Sequence, residues 1–435
     1  MGKYTVITFS PVQEFIEKSR KLRDLYGSSF IVSYLSYFLM QAALTQGHQR
    51  VSPGLLKVAR GTPNNIIIYG HFPEDDAQKA FDKAWSRIVL TCRYWLQEQF
   101  PDMNQNNPVL PGYGGIEDLQ IKPYYEKLSY RVGEVFLANS SKLRDLSEQE
   151  KIELIKQEGE AIISHREPLN IPELIKRLIT LKVIRNRIND TSDLKLKPSE
   201  EFLRQAFANT KINKLRSFSE INRLDEKDWT GWFLGDGDRM GKYFRGLSQD
   251  FDDDAERKKR QEVSQELMAW GEDTLREAIK NNGIGRLVYA GGDDFMGVCY
   301  RNDSPKLTGK ECWQWWCDFP EIWQEHGYAN DMTVSVGFVW SAPDVPQREI
   351  LQQCHEAEKA AKKQGRDRIA FRILFNSGNY LEWTCPWWFL PYLAEYRDRS
   401  GEKDWTNIYQ DVAILESRHS FDAGNTEIAE AAILI

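Results

Sequence analysis

The chain has 435 residues, with 57 Lys and Arg against 64 Asp and Glu for a formal net charge of −7, and is 41% hydrophobic with 12% aromatic side chains. That length divides into about two to four domains with sizeable cores; the composition excludes a disordered chain, and the charge excludes wholesale wrapping of nucleic acid while leaving room for local basic patches. No apolar run reaches the roughly 18 to 20 residues needed to span a bilayer, and the first residues pass straight into a strand pattern without a signal peptide, so a cytoplasmic protein with no membrane contact is expected.

Residues 4–9 predict a strand, Ser10-Pro11 a turn, residues 12–23 a helix charged on one face, and residues 28–45 a second, more apolar helix. After a loop around Ser52-Pro53-Gly54, the run Asn64-Asn65-Ile66-Ile67-Ile68-Tyr69-Gly70 predicts a short strand and residues 75–99 an amphipathic helix. This order fits an α+β sandwich over an antiparallel sheet, the ferredoxin-like plan, for residues 1–114. Residues 115–225 change character: 147–163, 171–185 and 198–208 have helical periodicity and high charge, which predicts a helical connecting domain. Its Lys and Arg residues fit either solvated helix faces or contacts to RNA or a partner subunit.

The strand and helix alternation returns over 226–375, with strand 229–235, helix 254–281, hairpin 285–300, helix 308–325, strand 332–340, helix 346–363 and strand 369–375. A Trp-rich helical region is expected for 376–435. The six cysteines form no CxxC pair, so no zinc site is expected. The six histidines include no His-Asp dipeptide, which speaks against a phosphohydrolase centre built on one.

Chemistry concentrates in the second sandwich. Residues 287–298 read as two apolar strands joined by Gly291-Gly292-Asp293-Asp294, a tight turn that sets two carboxylates side by side. Alone, this pattern fits a solvated hairpin tip as well as a cation site. The strand Gly231-Trp232-Phe233-Leu234 runs into Gly235-Asp236-Gly237-Asp238, and in this topology it lies beside the hairpin, so Asp236 and the turn meet at one sheet edge. Carboxylates gathered so closely repel unless Mg²⁺ or Mn²⁺ neutralises them, and two such ions would serve phosphoryl chemistry. Lys362 and Arg366, in Ala361-Lys362-Lys363-Gln364-Gly365-Arg366, fit a basic helix end closed by glycine or a pair of counter-charges for phosphates.

Asp236-Gly237-Asp238, Gly291-Gly292-Asp293-Asp294-Phe295 and Ala361-Lys362-Lys363-Gln364-Gly365-Arg366, in this order, resemble the palm-type nucleotide cyclases that include diguanylate cyclases. Ser10-Pro11-Val12-Gln13-Glu14-Phe15-Ile16 with the following Ser19 to Ser29 narrows the likeness to the first palm of the large polymerase/cyclase subunit of type III CRISPR effector complexes, closest to the III-B branch. The resemblance covers roughly residues 1–110 and 229–375. It implies synthesis of cyclic oligoadenylates from ATP, switched on when a guide RNA pairs with target RNA, in company with the other effector subunits. It also implies that Asp236, Asp293 and Asp294 are catalytic and hold the metals, that Gly237, Asp238, Gly291 and Gly292 line the nucleotide, and that Lys362 and Arg366 face phosphates. In the first palm Asn64-Asn65 stands where the second has its aspartates, so that copy would hold no catalytic metal and form part of the neighbouring nucleotide pocket.

Two departures from the family pattern go with this likeness. The sequence begins in the first palm with no His-Asp pair, so no nuclease domain is expected, and the helical insert carries no four-cysteine zinc site. The region after 376 is short for the family's C-terminal helical domain. Two other readings remain: a non-catalytic scaffold and RNA-binding subunit of the same complex, and a palm cyclase making a different nucleotide signal. A diguanylate cyclase hairpin normally ends Asp-Glu-Phe, and this one ends Asp293-Asp294-Phe295.

Overall fold

The computed structural model describes residues 4–9, 15–16, 19, 22–56, 61–63, 65–99, 171–189, 228–250, 253–301 and 304–395. The fold is α+β, with sheets of the ferredoxin-like palm type. In the first palm, β1 (Tyr4–Thr8), β2 (Gln49–Ser52) and β3 (Asn65–Tyr69) form an antiparallel sheet in the order β1-β3-β2. Strand residues alternate faces, and Ile66 and Ile68 are fully buried. They pack with helices α1 (Leu22–Thr45) and α2 (Glu74–Gln99) in one apolar core. Strand β2 takes the place of the loop expected around residue 52; its short, polar run Gln49-Arg50-Val51-Ser52 carries almost no alternation to read. Most of the helix expected at 12–23 falls outside the described residues, as does Asn64.

The expected second helix, 28–45, in fact begins at Leu22 and passes unbroken through Gly27-Ser28-Ser29. The Ser28 hydroxyl donates to the Asp24 carbonyl four residues back, 2.8 Å. Gly27 permits a close crossing, since a Cβ there would stand 1.8 Å from the Lys176 carbonyl oxygen. Lys176 belongs to α3 (Ile171–Leu178), which with α4 (Lys182–Asn189) is the described part of the expected helical connecting domain. The segments at 147–163 and 198–208 lie outside the described residues. Ile175, Leu178, Ile179, Leu181, Ile184 and Ile188 complete the first palm's core, so these two helices act as part of that palm. Arg177 seals the junction with a bidentate pair to Asp24, at 2.9 and 2.8 Å, both side chains at most 1% exposed.

The second palm is one sheet of β4 (Thr230–Gly237), β5 (Gly285–Ala290), β6 (Phe295–Cys299), β7 (Val334–Ser341), β8 (Arg368–Leu374) and β9 (Tyr380–Pro386), in the order β5-β6-β4-β7-β8-β9. Strand β4 is central and antiparallel to both β6 and β7, while β7 and β8 run parallel around helix α9 (Gln347–Lys363). Helix α8 (Gly309–Gln324) starts with a capping box between Thr308 and Glu311. Two differences from the sequence reading stand out. Residues 380–386, assigned to a helical C-terminal region, form β9, whose backbone completes the edge of β8; the helix in that region is α10 (Leu390–Glu395), and residues beyond 395 lie outside the described set. The single helix expected at 254–281 is preceded by α5 (Met240–Asp250) and is itself α6 (Asp253–Ala269), a π-helical turn (Trp270–Leu275) and α7 (Arg276–Asn281).

The π turn lies against the acidic hairpin. A Cβ on Gly271 would stand 2.5 Å from the Ala290 Cβ, and Trp270 Nε1 donates to the Ile322 carbonyl at 2.6 Å. Beside it, His326 is 3% exposed, edge-on to Trp323 at 4.4 Å, and its Nδ1 accepts the Tyr328 N–H at 3.0 Å. Burial pushes this imidazole down from 6.5 to about 4. Between those values the unfolded chain binds a proton that the folded chain refuses, so stability contributed by neutral His326 is present above about pH 6.5 and is lost as the pH falls toward 4. Urea unfolding of the full chain should show a loss on the order of 3 kcal/mol across that window. His326→Asn should flatten the slope, and an unchanged slope would exclude His326 as its source.

The two palms share an interior. Leu22 and Leu25 of α1 lie in one cluster with Trp232, Val288, Met296 and Val298 of the second palm. Tyr26 donates its hydroxyl to the Leu287 carbonyl at 2.7 Å, and the Gly54 N–H donates to Ser264 Oγ at 2.8 Å.

Candidate active site

Glycines make the sheet edge that carries the acids. Gly235 pairs with Phe295, and a Cβ at 235 would stand 2.1 Å from the Phe295 ring. The β4 backbone can therefore lie against β6, and the Gly237 N–H donates to the Asp293 carbonyl at 3.2 Å. A Cβ at Gly237 would stand 2.8 Å from that of Asp293, so this glycine lets Asp236 reach the hairpin. The turn closes through Gly291 N–H to the Asp294 carbonyl, 2.9 Å, with Gly292 at φ 127°, a conformation that favours glycine.

Asp236, Asp293 and Asp294 thus interact as one set, as the sequence predicts. Burial, then the Asp236 charge, pushes the Asp293 carboxyl up to about 7. Asp294 is raised as well, by crowding of surrounding protein and then by Asp236 and Asp293, although its residue is exposed at the hairpin tip and water still screens it. Lys362, on the last turn of α9, donates to Asp236 and pairs with Glu358. Burial works to lower its ammonium pKa, and these two carboxylates outweigh burial and hold it raised. Glu358 is itself raised, chiefly by burial.

Among the described residues no group of three or more His, Cys, Asp or Glu side chains is already arranged as a metal cage. The donor set nevertheless fits a hard divalent cation. Three carboxylates crowd one edge, burial and the neighbouring charges make two of them hold protons more tightly than usual, and a lysine supplies compensating charge.

Asp238 and Arg366 stand apart from this set. Asp238 is 2% exposed and Arg366 Nε lies 3.8 Å from its carboxylate. Thr333 and Ser335, at the start of β7, donate to Asp238 at 2.9 and 2.8 Å. Glu358, Thr333 and Ser335 escaped the sequence reading, though Glu358 sits four residues before Lys362 on a helix, the spacing of an ion pair.

The first palm comes up to the other side of the turn. Gly61, Thr62 and Pro63 pack on Ala290 and Gly291: a Cβ at Gly291 would lie 3.6 Å from Pro63 N and 3.7 Å from the Gly61 carbonyl oxygen. The Thr62 N–H donates to Ser33 Oγ at 2.7 Å, tying that loop to α1. Asn65 follows it, exposed at the start of β3 and paired with Thr8.

Residues 230–370 match the family model described as Cas10/Cmr2, second palm domain. Asp236, Asp293 and Asp294 all fall within this match. Residues 4–58 match the model of the CRISPR-associated protein Cmr2, N-terminal, a stretch that includes β1, α1 and β2. Solved structures with partial likeness include the Csm1-Csm4 cassette in complex with cA4, at 14% identity and a TM-score of 0.43 over 98% of this chain and 64% of that one. Others are the cassette in complex with one ATP (13%, TM-score 0.44, 98% and 64%) and the Csm1-Csm4 subcomplex in the type III-A CRISPR-Csm interference complex (14%, TM-score 0.44, 97% and 64%). The chain therefore spans 64% of the length of these structures' chains. No curated protein matches it significantly.

Proposed function

We propose that this Cas10-type chain is the cyclic oligoadenylate synthase of a III-B-like CRISPR effector complex. The observation that carries the reading is the convergence of Asp236, Asp293 and Asp294 at an edge whose turn is covered on one side by the first palm. Two nucleotides are then held between unlike palms: one over the acids, the other beside Asn64-Asn65. A ribose 3′ oxygen of one ATP attacks the α-phosphorus of the other; the new O–P bond forms as the bond to pyrophosphate breaks, and the hydroxyl proton leaves to solvent. Asp236, Asp293 and Asp294 would hold two Mg²⁺ or Mn²⁺ ions, which when bound acidify the hydroxyl and stabilise charge on the phosphate. Lys362, released from Asp236, and Arg366 balance the triphosphate charge, while Gly237, Gly291 and Gly292 keep side chains clear of the nucleotide. The working units are the first palm together with α3 and α4 of the connector, and the second palm extended by β9. Target RNA paired to the guide, with the neighbouring effector subunits, switches the site on in the cytoplasm. Among the described residues no helix is long and apolar enough to cross a membrane.

A scaffold role or another cyclic nucleotide is separated from this reading by offering ATP, GTP, CTP and UTP in turn to the chain in its RNA-loaded complex, with Mg²⁺ or Mn²⁺, and weighing the products by mass spectrometry. Cyclic oligoadenylates should form with ATP alone. A guanosine product would replace the substrate assignment, and silence with every nucleotide would leave the scaffold.

A further inference from the structure

We propose that Asp238 is a positioning residue that pins the turn carrying Arg366, and that it is neither a metal ligand nor a contact to nucleotide. The inference rests on the function proposed above for Arg366. In an extended strand residues 236 and 238 share a face, which would send both aspartates to the substrate. Strand β4 ends at Gly237, however, and Arg239 takes a left-handed φ of 60°. The Asp238 carboxylate then enters the protein. One oxygen accepts from Ser335 Oγ at 2.8 Å; the other accepts from Thr333 Oγ1 at 2.9 Å and from the Asp367 N–H at 3.0 Å. Its own N–H donates to the Thr333 carbonyl at 2.7 Å.

The turn that Asp238 holds needs an external tie. Gly365, Arg366 and Asp367 have φ of 131°, 67° and 54°, and two successive left-handed residues with side chains are unfavourable by themselves. Asp238 grips this turn from the β4 side. From the other side Arg368, 4% exposed, donates Nε to the Arg366 carbonyl at 2.9 Å, and its guanidinium lies so close to Gly365 that a Cβ there would stand 2.6 Å from Nη2. The Arg366 side chain, held between these grips, stays 43% exposed, as a group that must meet a charged ligand requires. A carboxylate offers about four lone-pair positions. Three already face donors in Asp238 and the Arg366 guanidinium approaches the carboxylate, so a cation would have to displace the pin.

The test compares the full chain with Asp238→Ala, Asp238→Asn, the pair Thr333→Val with Ser335→Ala, and Asp236→Asn. Three readouts are used: hydrogen exchange over residues 364–370, calorimetry with Mn²⁺ alone, and calorimetry with ATP in saturating Mg²⁺. Asp238→Ala and the hydroxyl pair should speed exchange in the turn and weaken ATP about tenfold, with Mn²⁺ affinity within about twofold of the parent. Asp238→Asn can keep one oxygen on both the Asp367 N–H and the Thr333 hydroxyl while the Ser335 hydroxyl reverses to accept from the amide, and should rescue both readouts. Asp236→Asn should lose Mn²⁺ with the turn still protected. A tenfold or larger loss of Mn²⁺ affinity in Asp238→Asn, or unchanged turn exchange in Asp238→Ala, overturns the proposal. If Asp238→Ala does not fold, the hydroxyl pair decides. If the parent binds neither ATP nor Mn²⁺, the proposed function falls, and the exchange readout still decides whether Asp238 pins the turn.

Discussion

Changing Asp293 and Asp294 together to Ala should abolish product formation from ATP while leaving the chain as stable as before, or more so. The loss should reach about a thousandfold or more, since removal of a single preorganised electrostatic contact already costs about 100- to 1,000-fold. Stability should move the other way because, without a cation, these carboxylates burden the fold. Burial and then the Asp236 charge hold both above the ordinary carboxylate range, and Asp293 adds to the repulsion on Asp294. Removing them relieves that cost, while the backbone bonds from Gly237 N–H to the Asp293 carbonyl and from Gly291 N–H to the Asp294 carbonyl remain. Labelled ATP with Mg²⁺ and activating RNA reads the first effect and thermal melting without metal reads the second. Product at the parent rate sinks the catalytic assignment. Lost activity with a much lower melting point would mean that the turn itself had collapsed.

The largest stability effect should come from Asp24→Ala, on the order of 3–5 kcal/mol. Asp24 and Arg177 meet through two hydrogen bonds with both side chains closed to water, so truncating the acid strips a buried guanidinium of its bidentate partner. The same helix turn holds Gly27 against the Lys176 carbonyl and Ser28 against the Asp24 carbonyl, leaving little freedom to relax. An apolar replacement of both partners, Asp24→Leu with Arg177→Met, should cost less than the single change, because no uncompensated charge remains. Urea unfolding of the three chains decides it; a loss below about 1 kcal/mol for Asp24→Ala would show that the pair is solvated as surface pairs are.

How far these features can be read from sequence depends on how local their causes are. Strand β4, the hairpin β5-β6 and helix α9 are written in neighbouring residues: apolar alternation, a double glycine at the turn, a basic helix end before Gly365. Strand β9 is not, since Tyr380-Leu381-Glu382-Trp383-Thr384-Cys385-Pro386 is a strand because the β8 edge offers it partners. Helices α3 and α4 look like charged surface helices until their isoleucines join the first palm's core, α3 against α1 and α4 against α2. At the site, three acids and a lysine follow from the motifs and their order. The division of labour between Asp236 and Asp238 does not, because it depends on where β4 ends and on hydroxyls about 95 residues away.

The insertion of Leu22 and Leu25 from α1 among Trp232, Val288 and Met296 bears on how this molecule could be dissected. A second palm excised on its own would carry an open greasy socket directly beneath the strands of the acidic hairpin. The boundary drawn between the palms along the sequence is thus no seam in the folded protein, and the two halves should melt as one cooperative body.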